Sequence, residues 1–374
     1  MLCTLAGLGW VACGTPESLP AAPPEPTWPP DVQDRSPEVA EALAEADVPG
    51  LGAALIHGGN IVAAGFAGER AMNQGQRPGF NDRWHLGSVT KSITATLAAS
   101  LVADGTLSWD RSVQSVFPQA TDPWRTVTLA DLVQQRAGVP DLTIEIVTWR
   151  FEKDPVLTRR AWADSTVLSG APENYGAFHY RNANYVLAGA FIEAATQKSW
   201  ETLVAERIFT PLGMTDAGFG PPAGSGVPWG HVDAPWGRSA LPPNAPVADN
   251  PAALGPAGTV HANFTDWARF ASAHLARASG TPHVGWEDPA YNLLHTPPDG
   301  QEYAAGWIRW DRREWAGGPV LWHNGSNGYW YALQVLAPAK NAAGICAANA
   351  LANFASEKAC FTLLSKWIEA LPPS

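Results

Sequence analysis

Basic residues are in short supply. Lysine and arginine number 24 against 35 aspartates and glutamates, and the net charge is −11 at pH 7. With no basic surplus to neutralise phosphates, the chain is not expected to bind nucleic acid. Lysine occurs only at Lys91, Lys153, Lys198, Lys340, Lys358 and Lys366, so a motif that requires one has few places to fall. No apolar run reaches the roughly 18 to 20 residues that a membrane-spanning helix needs. No internal repeat is present. His57, His85, His179, His231 and the rest show no paired spacing of the His-Glu-x-x-His kind, and neither a metal nor another cofactor is expected.

The 374 residues are 46% hydrophobic and 16% charged, which fits a packed globular protein of one or two domains. Tryptophan, at 18 copies, favours half-buried places with a polar partner, so some should line a cleft. Met1 to Ala12 is apolar and ends in small residues, like the end of a secretory signal. Val11-Ala12-Cys13-Gly14 is similar to a lipoprotein cleavage box, in which Cys13 would carry a lipid and tether the protein to a membrane. The segment has no Lys or Arg at its start, and Trp10 stands where such boxes carry leucine. Residues 1–13 are thus read as a signal or lipoprotein-type segment, 14–33 as a Pro-rich, extended linker and 34–374 as the folded domain. The expected location is exported: periplasmic or membrane-tethered.

Apolar spacing predicts helices over Ser36 to Ala46, Val127 to Arg136 and Tyr185 to Ala195, and one marked by Trp200, Leu203, Val204 and Ile208 that stops at Pro211. Another carries Trp267, Phe270 and His274 inward, and a last one covers Ala355 to Ala370. Strands are expected at Leu51 to His57 and Ile61 to Phe66, joined through Gly58-Gly59-Asn60. Four more are expected at Ala304 to Trp310, Pro319 to His323, Tyr329 to Leu336 and Ala342 to Ala348. Gly218 to Pro251 reads as a long irregular loop. The fold class is therefore α+β: one antiparallel sheet built from both ends of the chain and flanked by the terminal helices, with a mostly helical subdomain (about 122–250) inserted. Cys346 and Cys360 could form a disulfide across sheet and helix or stay as two buried thiols.

The chain is organised around His85-Leu86-Gly87-Ser88-Val89-Thr90-Lys91, which opens an apolar helix running to Asp104-Gly105. Ser88 and Lys91, three apart, share one helical face. An amine beside a hydroxyl makes serine nucleophilic, and the N–H groups at a helix start favour developing negative charge. Alone, the pair also describes a capping serine and a solvated lysine. Tyr180-Arg181-Asn182 lies just before a helix. A tyrosine near cations can have its pKa lowered and act as a base, and an asparagine amide can hold a substrate carbonyl. Alone, these are also a loop tyrosine and a helix cap. His323-Asn324-Gly325-Ser326 ends a strand. It reads as a ligand-facing edge or as a hairpin turn.

In this order the three motifs resemble the serine β-lactamase and penicillin-binding-protein superfamily, and above all its class C β-lactamase, D-Ala-D-Ala carboxypeptidase and family VIII esterase branch. The resemblance covers about Ser36 to Leu371 and implies acyl transfer through an acyl-enzyme, then hydrolysis. It makes Ser88 the nucleophile, with Lys91 sharing or taking its proton. Tyr180 becomes the general base of acylation, and Asn182 positions the substrate amide. His323 takes the place that contacts a substrate carboxylate or tunes Tyr180. Gly325 belongs to the same motif, and the amides of Ser88 and Ser326 form the oxyanion hole. His323-Asn324-Gly325 stands where most β-lactamases of the family carry Lys-Thr-Gly, and a neutral imidazole binds a carboxylate less well than an ammonium does. Arg181 replaces a small residue; it would either point to solvent or supply the missing positive charge. The implied partner is a small-molecule or peptide substrate carrying an ester or amide. The alternatives are a D-Ala-D-Ala carboxypeptidase-like peptidase and a non-catalytic protein that holds a cell-wall peptide.

Overall fold

The computed structural model describes residues 29–372 apart from 225 and 282–284. The export segment and most of the linker expected over residues 1–33 lie outside the described residues. β1 (Gln33–Asp34) leads into α1 (Ser36–Ala46), and β2 (Gly50–His57) and β3 (Asn60–Gly68) form a hairpin. β4 (Trp84–His85) precedes a single 3-10 turn, Gly87–Val89, which runs into α2 (Thr90–Ala103). The middle of the chain holds α3 (Pro155–Ser169) and α4 (Asn182–Thr196), then the short strands β5 (Gly218–Phe219), β6 (Gly230–Ala234) and β7 (Gly237–Leu241). After the turn Gly255–Gly258 come β8 (Val260–Ala262) and α5 (Phe264–Ala278). The chain closes with β9 (Ile308–Arg313), β10 (Gly318–Ser326), β11 (Tyr331–Ala337), β12 (Ala342–Ala348) and α6 (Ala355–Glu369).

The main sheet has seven strands in the order β1-β3-β2-β12-β11-β10-β9. It joins both ends of the chain, as expected, and every pairing is antiparallel except the short edge pair β1–β3. Its central strands lack the polar alternation of a half-exposed sheet, because both faces are covered. Along β11, Leu333 and Val335 pack towards α1 and α6, while Ala332 and Leu336 join the core that holds α2 and α5. Gln334 shares the second face and is fully buried. Its amide accepts from Trp267 Nε1 (3.0 Å) and donates to Ser92 Oγ (3.0 Å), so its polar atoms are satisfied in the core. Cys346 and Cys360 are joined in a disulfide with Cα atoms 5.7 Å apart. It clips β12 to α6, and closing a loop of this size stabilises the fold by about 3 kcal/mol in the chain-entropy account.

Three expectations shift. The predicted helix over Val127 to Arg136 is only Leu129–Val133, although Thr128 and Asp131 do form a reciprocal capping box. Gln135 follows with φ +62° and turns the chain out of the helix, where tertiary hydrogen bonds replace helical ones. The strand expected at Ala304 to Trp310 begins at Ile308 instead. Gly306 sits against the backbone of α2, where a Cβ would lie 2.5 Å from Ser92 Cα, so the apolar residues before it pack on a helix and not in a ladder. The stretch from Gly218 to Pro251 is not wholly irregular: β6 and β7 form a hairpin within it, and β5 pairs with β8.

Candidate active site

The sheet and the helical middle meet at the 3-10 turn that carries Ser88. Gly87 enters this turn with φ +50°, a conformation that suits glycine. The turn is pressed against the end of β10. A Cβ on Gly87 would lie 2.3 Å from Ser326 N, and one on Gly325 would lie 2.4 Å from Ser88 N. Two glycines therefore let two backbones touch, and the amides of Ser88 and Ser326 fall on the touching edges. The Ser326 hydroxyl is occupied within its own turn, donating to the Trp330 carbonyl (2.5 Å) and accepting from Gly328 N (2.9 Å). What Ser326 offers at this edge is backbone.

Lys91 stands one turn further along, on α2, and is completely buried. Its Nζ lies 2.8 Å from each of three oxygens: Ser88 Oγ, Asn182 Oδ1 and the Ala257 carbonyl. No carboxylate is among them. Burial without a counter-ion pushes its pKa well below the usual lysine value. In the neutral amine two N–H groups serve Asn182 and Ala257, which can only accept, and the lone pair is left for the Ser88 hydroxyl proton.

Tyr180 and Asn182 come from the loop before α4 and its first residue. The Tyr180 side chain is 44% exposed, but its hydroxyl lies on the Ser88 side. Lys91 Nζ is 4.9 Å from the ring centroid. Burial raises the Tyr180 pKa, the opposite of the lowering expected from nearby cations. Arg181 takes neither expected course. Its guanidinium donates to Glu173 Oε2 (2.7 Å) and to the Val139 carbonyl (2.9 Å), which ties the loop down and brings no positive charge to Ser88.

His323 is buried on β10, its ring 6.1 Å from that of Tyr180. Nδ1 donates to the Asn324 carbonyl at 2.6 Å, so the proton resides there and Nε2 presents a lone pair. Desolvation brings its pKa down to about 3, and the ring is neutral at ordinary pH. Nε2 lies 3.4 Å from the hydroxyl of Tyr303, which is itself 3.3 Å from that of Tyr185.

All seven sequence-derived positions, Ser88, Lys91, Tyr180, Asn182, His323, Gly325 and Ser326, therefore converge. Three contributors escaped the sequence reading. Gln135 Oε1 accepts from Arg181 N (3.0 Å) and Asn184 Nδ2 (2.7 Å), and its carbonyl accepts from His179 N (2.9 Å). It thereby clamps the segment that holds Tyr180. Tyr303 backs His323. Ala257 supplies a bare carbonyl to Lys91, which no side-chain pattern could reveal; Gly255-Pro256-Ala257-Gly258 reads as a tight turn similar to a connecting element of the family.

The sequence model of the family described as Beta-lactamase matches residues 37–364. Among curated relatives, an unguisins hydrolase of Aspergillus campestris is 22% identical over 359 residues, covering 91% of this chain and 66% of that protein. Penicillin-binding protein 4 of Amycolatopsis lactamdurans is 30% identical over 259 residues, covering 65% of each. The chain thus spans just under two thirds of the length of these relatives. A solved structure of an octameric penicillin-binding protein homologue from Pyrococcus abyssi superposes with a TM-score of 0.72 at 23% identity, covering 88% of this chain and 77% of that one. At that identity it shows a shared fold.

The contact between the two backbones yields a direct prediction. Gly325→Ala drives a methyl group into the Leu86 carbonyl and Ser88 N and separates the two amides. Labelling of Ser88 by a fluorophosphonate should slow by about 10²-fold, the cost of losing one oxyanion donor, as read by intact-protein mass against time. An unchanged rate would mean that the two amides do not act together.

Proposed function

Because the chain belongs to the Beta-lactamase family, we propose that it is a serine acyl hydrolase that opens an ester or amide through an acyl-enzyme on Ser88. The observation that carries this reading is the buried, uncompensated Lys91 amine at 2.8 Å from Ser88 Oγ. Ser88 Oγ attacks the acyl carbonyl and its proton passes to Lys91 Nζ. The tetrahedral oxygen faces the amides of Ser88 and Ser326. Tyr180, held as a phenol, protonates the leaving group and is reprotonated from Lys91, and water then releases the acyl group. The base is thus Lys91, with Tyr180 as proton carrier, because the amine is easily freed of its proton here and the phenol is not.

The β10 edge bears on the substrate. His323 is neutral and Arg181 is committed to Glu173 and Val139, so neither offers a fixed cation to a carboxylate. Phe178 and Tyr303, with ring centroids 5.5 Å apart, form an aromatic wall beside His323. These features favour an uncharged acyl donor over a carboxylate-bearing β-lactam or peptide terminus. The names of the relatives, a hydrolase and a penicillin-binding protein, are compatible with either bond type.

Incubation with an activated short-chain ester and with a penicillin, followed by intact mass, tests the reading. The ester should leave a transient adduct on the wild type and none on Ser88→Ala, with turnover lowered by about 10⁴-fold or more. Equal turnover by the variant would overturn it, and a penicillin adduct that forms faster than the ester adduct would overturn the substrate preference. The pH profile tests Lys91. The base must be unprotonated, so kcat/KM should be lost as pH falls through the lowered lysine pKa and hold level above it. A limb that keeps rising to the usual lysine value near 10.5 would overturn the lowered lysine pKa on which this reading rests.

We further propose export, with Cys13 as a lipid anchor followed by the Pro-rich linker. The Cys346–Cys360 disulfide supports the first part, since such bonds persist in oxidising compartments. Cys13→Ala should move the protein from the membrane fraction to the soluble one; an unchanged distribution would count against the anchor.

A further inference from the structure

Directly behind the Ser88 turn lies a buried polar pair that the mechanism above does not use. His85 is 1% exposed and Asp249 6%. The Gly87 N–H donates to His85 Nδ1 at 3.1 Å. Nδ1 is therefore an acceptor, and the single proton of the neutral ring resides on Nε2. That nitrogen is 2.7 Å from Asp249 Oδ1, a charge contact and not a hydrogen bond, so among the described residues Nε2 has no hydrogen-bond partner. The ring of Trp330 stacks on His85 with centroids 5.6 Å apart and planes at 27°, which opposes rotation of the imidazole. The same Asp249 oxygen accepts from Asn327 Nδ2 at 3.0 Å and from Asn250 N at 2.6 Å. Asn327 immediately follows Ser326, and its Oδ1 receives Tyr329 N (3.1 Å) and Trp330 N (3.3 Å).

One carboxylate oxygen is thus connected on one side, through His85, to the turn carrying the Ser88 amide. On the other side, through Asn327, it is connected to the turn carrying the Ser326 amide. Asp249 Oδ2 meanwhile is buried with no hydrogen-bond partner among the described residues. A buried carboxylate with an unserved oxygen is unfavourable for stability, so packing alone does not account for it. We propose that His85 and Asp249 are positioning residues that set the spacing of the two amides facing the substrate carbonyl. The negative charge of Asp249 2.7 Å away favours the imidazole proton on Nε2, so Nδ1 stays free to receive Gly87 N–H. With the proton on Nδ1, two N–H groups would face each other and the turn would shift.

This inference rests on the acyl-hydrolase reading, and its test separates the two. The activated ester is turned over by the wild type, Ser88→Ala, His85→Phe, His85→Asn and Asn327→Ala, each checked by circular dichroism and unfolding midpoint. Phenylalanine keeps the stacked ring but offers no acceptor. The Oδ1 of asparagine can occupy the place of Nδ1. We expect His85→Phe to lower kcat by about 10- to 100-fold, the size of effect that a small misplacement of reacting groups produces, with KM unchanged. Its affinity for a boronic acid, whose adduct on Ser88 carries a tetrahedral anionic oxygen, should fall in the same proportion. His85→Asn should recover most of both. Wild-type kcat and boronate affinity in His85→Phe would overturn the inference, as would equal losses in His85→Asn and His85→Phe. Should His85→Phe not fold, Asn327→Ala decides: it cuts the other link, and wild-type kcat and boronate affinity there would likewise overturn it. Turnover by Ser88→Ala would instead overturn the acyl-hydrolase reading itself.

Discussion

A lysine with no counter-ion, enclosed completely, is the constraint around which this molecule is arranged. An ammonium in such a place would be strongly destabilising. The fold meets that demand with three oxygens from three parts of the chain: the Ser88 turn, the start of α4 and the carbonyl of Ala257. Two of these can only accept from the amine. The third is a hydroxyl that can reverse its role once the amine is neutral. The same burial that costs stability leaves the Lys91 amine 2.8 Å from the Ser88 hydroxyl with no carboxylate to hold its proton. Pairing Lys91 with a carboxylate would be better for folding and would hold the amine charged.

Around this point the architecture is a matter of bringing backbones close. The Ser88 turn and the end of β10 touch only because positions 87 and 325 lack a Cβ. The sheet can bring β10 there because β2 and β3 from one end of the chain and β9 to β12 from the other share a single ladder. Both faces of that ladder are covered, by α1 and α6 on one side and by α2 and α5 on the other. The edge beside Ser88 is thus a rigid one. The pair His85–Asp249 and the side chain of Asn327 lie behind it, and the neutral His323 lies along it, where an ammonium would have favoured carboxylates.

Much of this plan is legible in the chain. Ser36 to Ala46 was readable to the residue because Val39, Leu43 and Ala46 fall on one helical face. Thr128 and Asp131 signalled a capping box, since both partners lie within one turn. The helix they open ended early, because the bonds that replace it run from Gln135 to residues more than forty positions away. The same distance hides Asp249, which meets His85 across 164 residues of chain (249 − 85). Arg181 looked like a candidate charge for the site and turned out to secure the loop from behind.

Local chemistry therefore determined which side chains this protein has to work with. Ser88 and Lys91 share a helical face because three residues make nearly one turn. Gly87 and Gly325 permit close approach because they lack side chains, and His323 lies on β10, where Asn324 and Gly325 pair with Leu333 and Ala332 and do not form the turn that Asn-Gly also signalled. Only the tertiary structure decided the state in which those groups are held. It buried Lys91 without a carboxylate, raised the pKa of Tyr180 where cations were expected to lower it, left His323 neutral and closed the bond between Cys346 and Cys360. Protonation and pairing depend on what surrounds a group in space, and those surroundings come from segments that are neighbours only after the chain has folded.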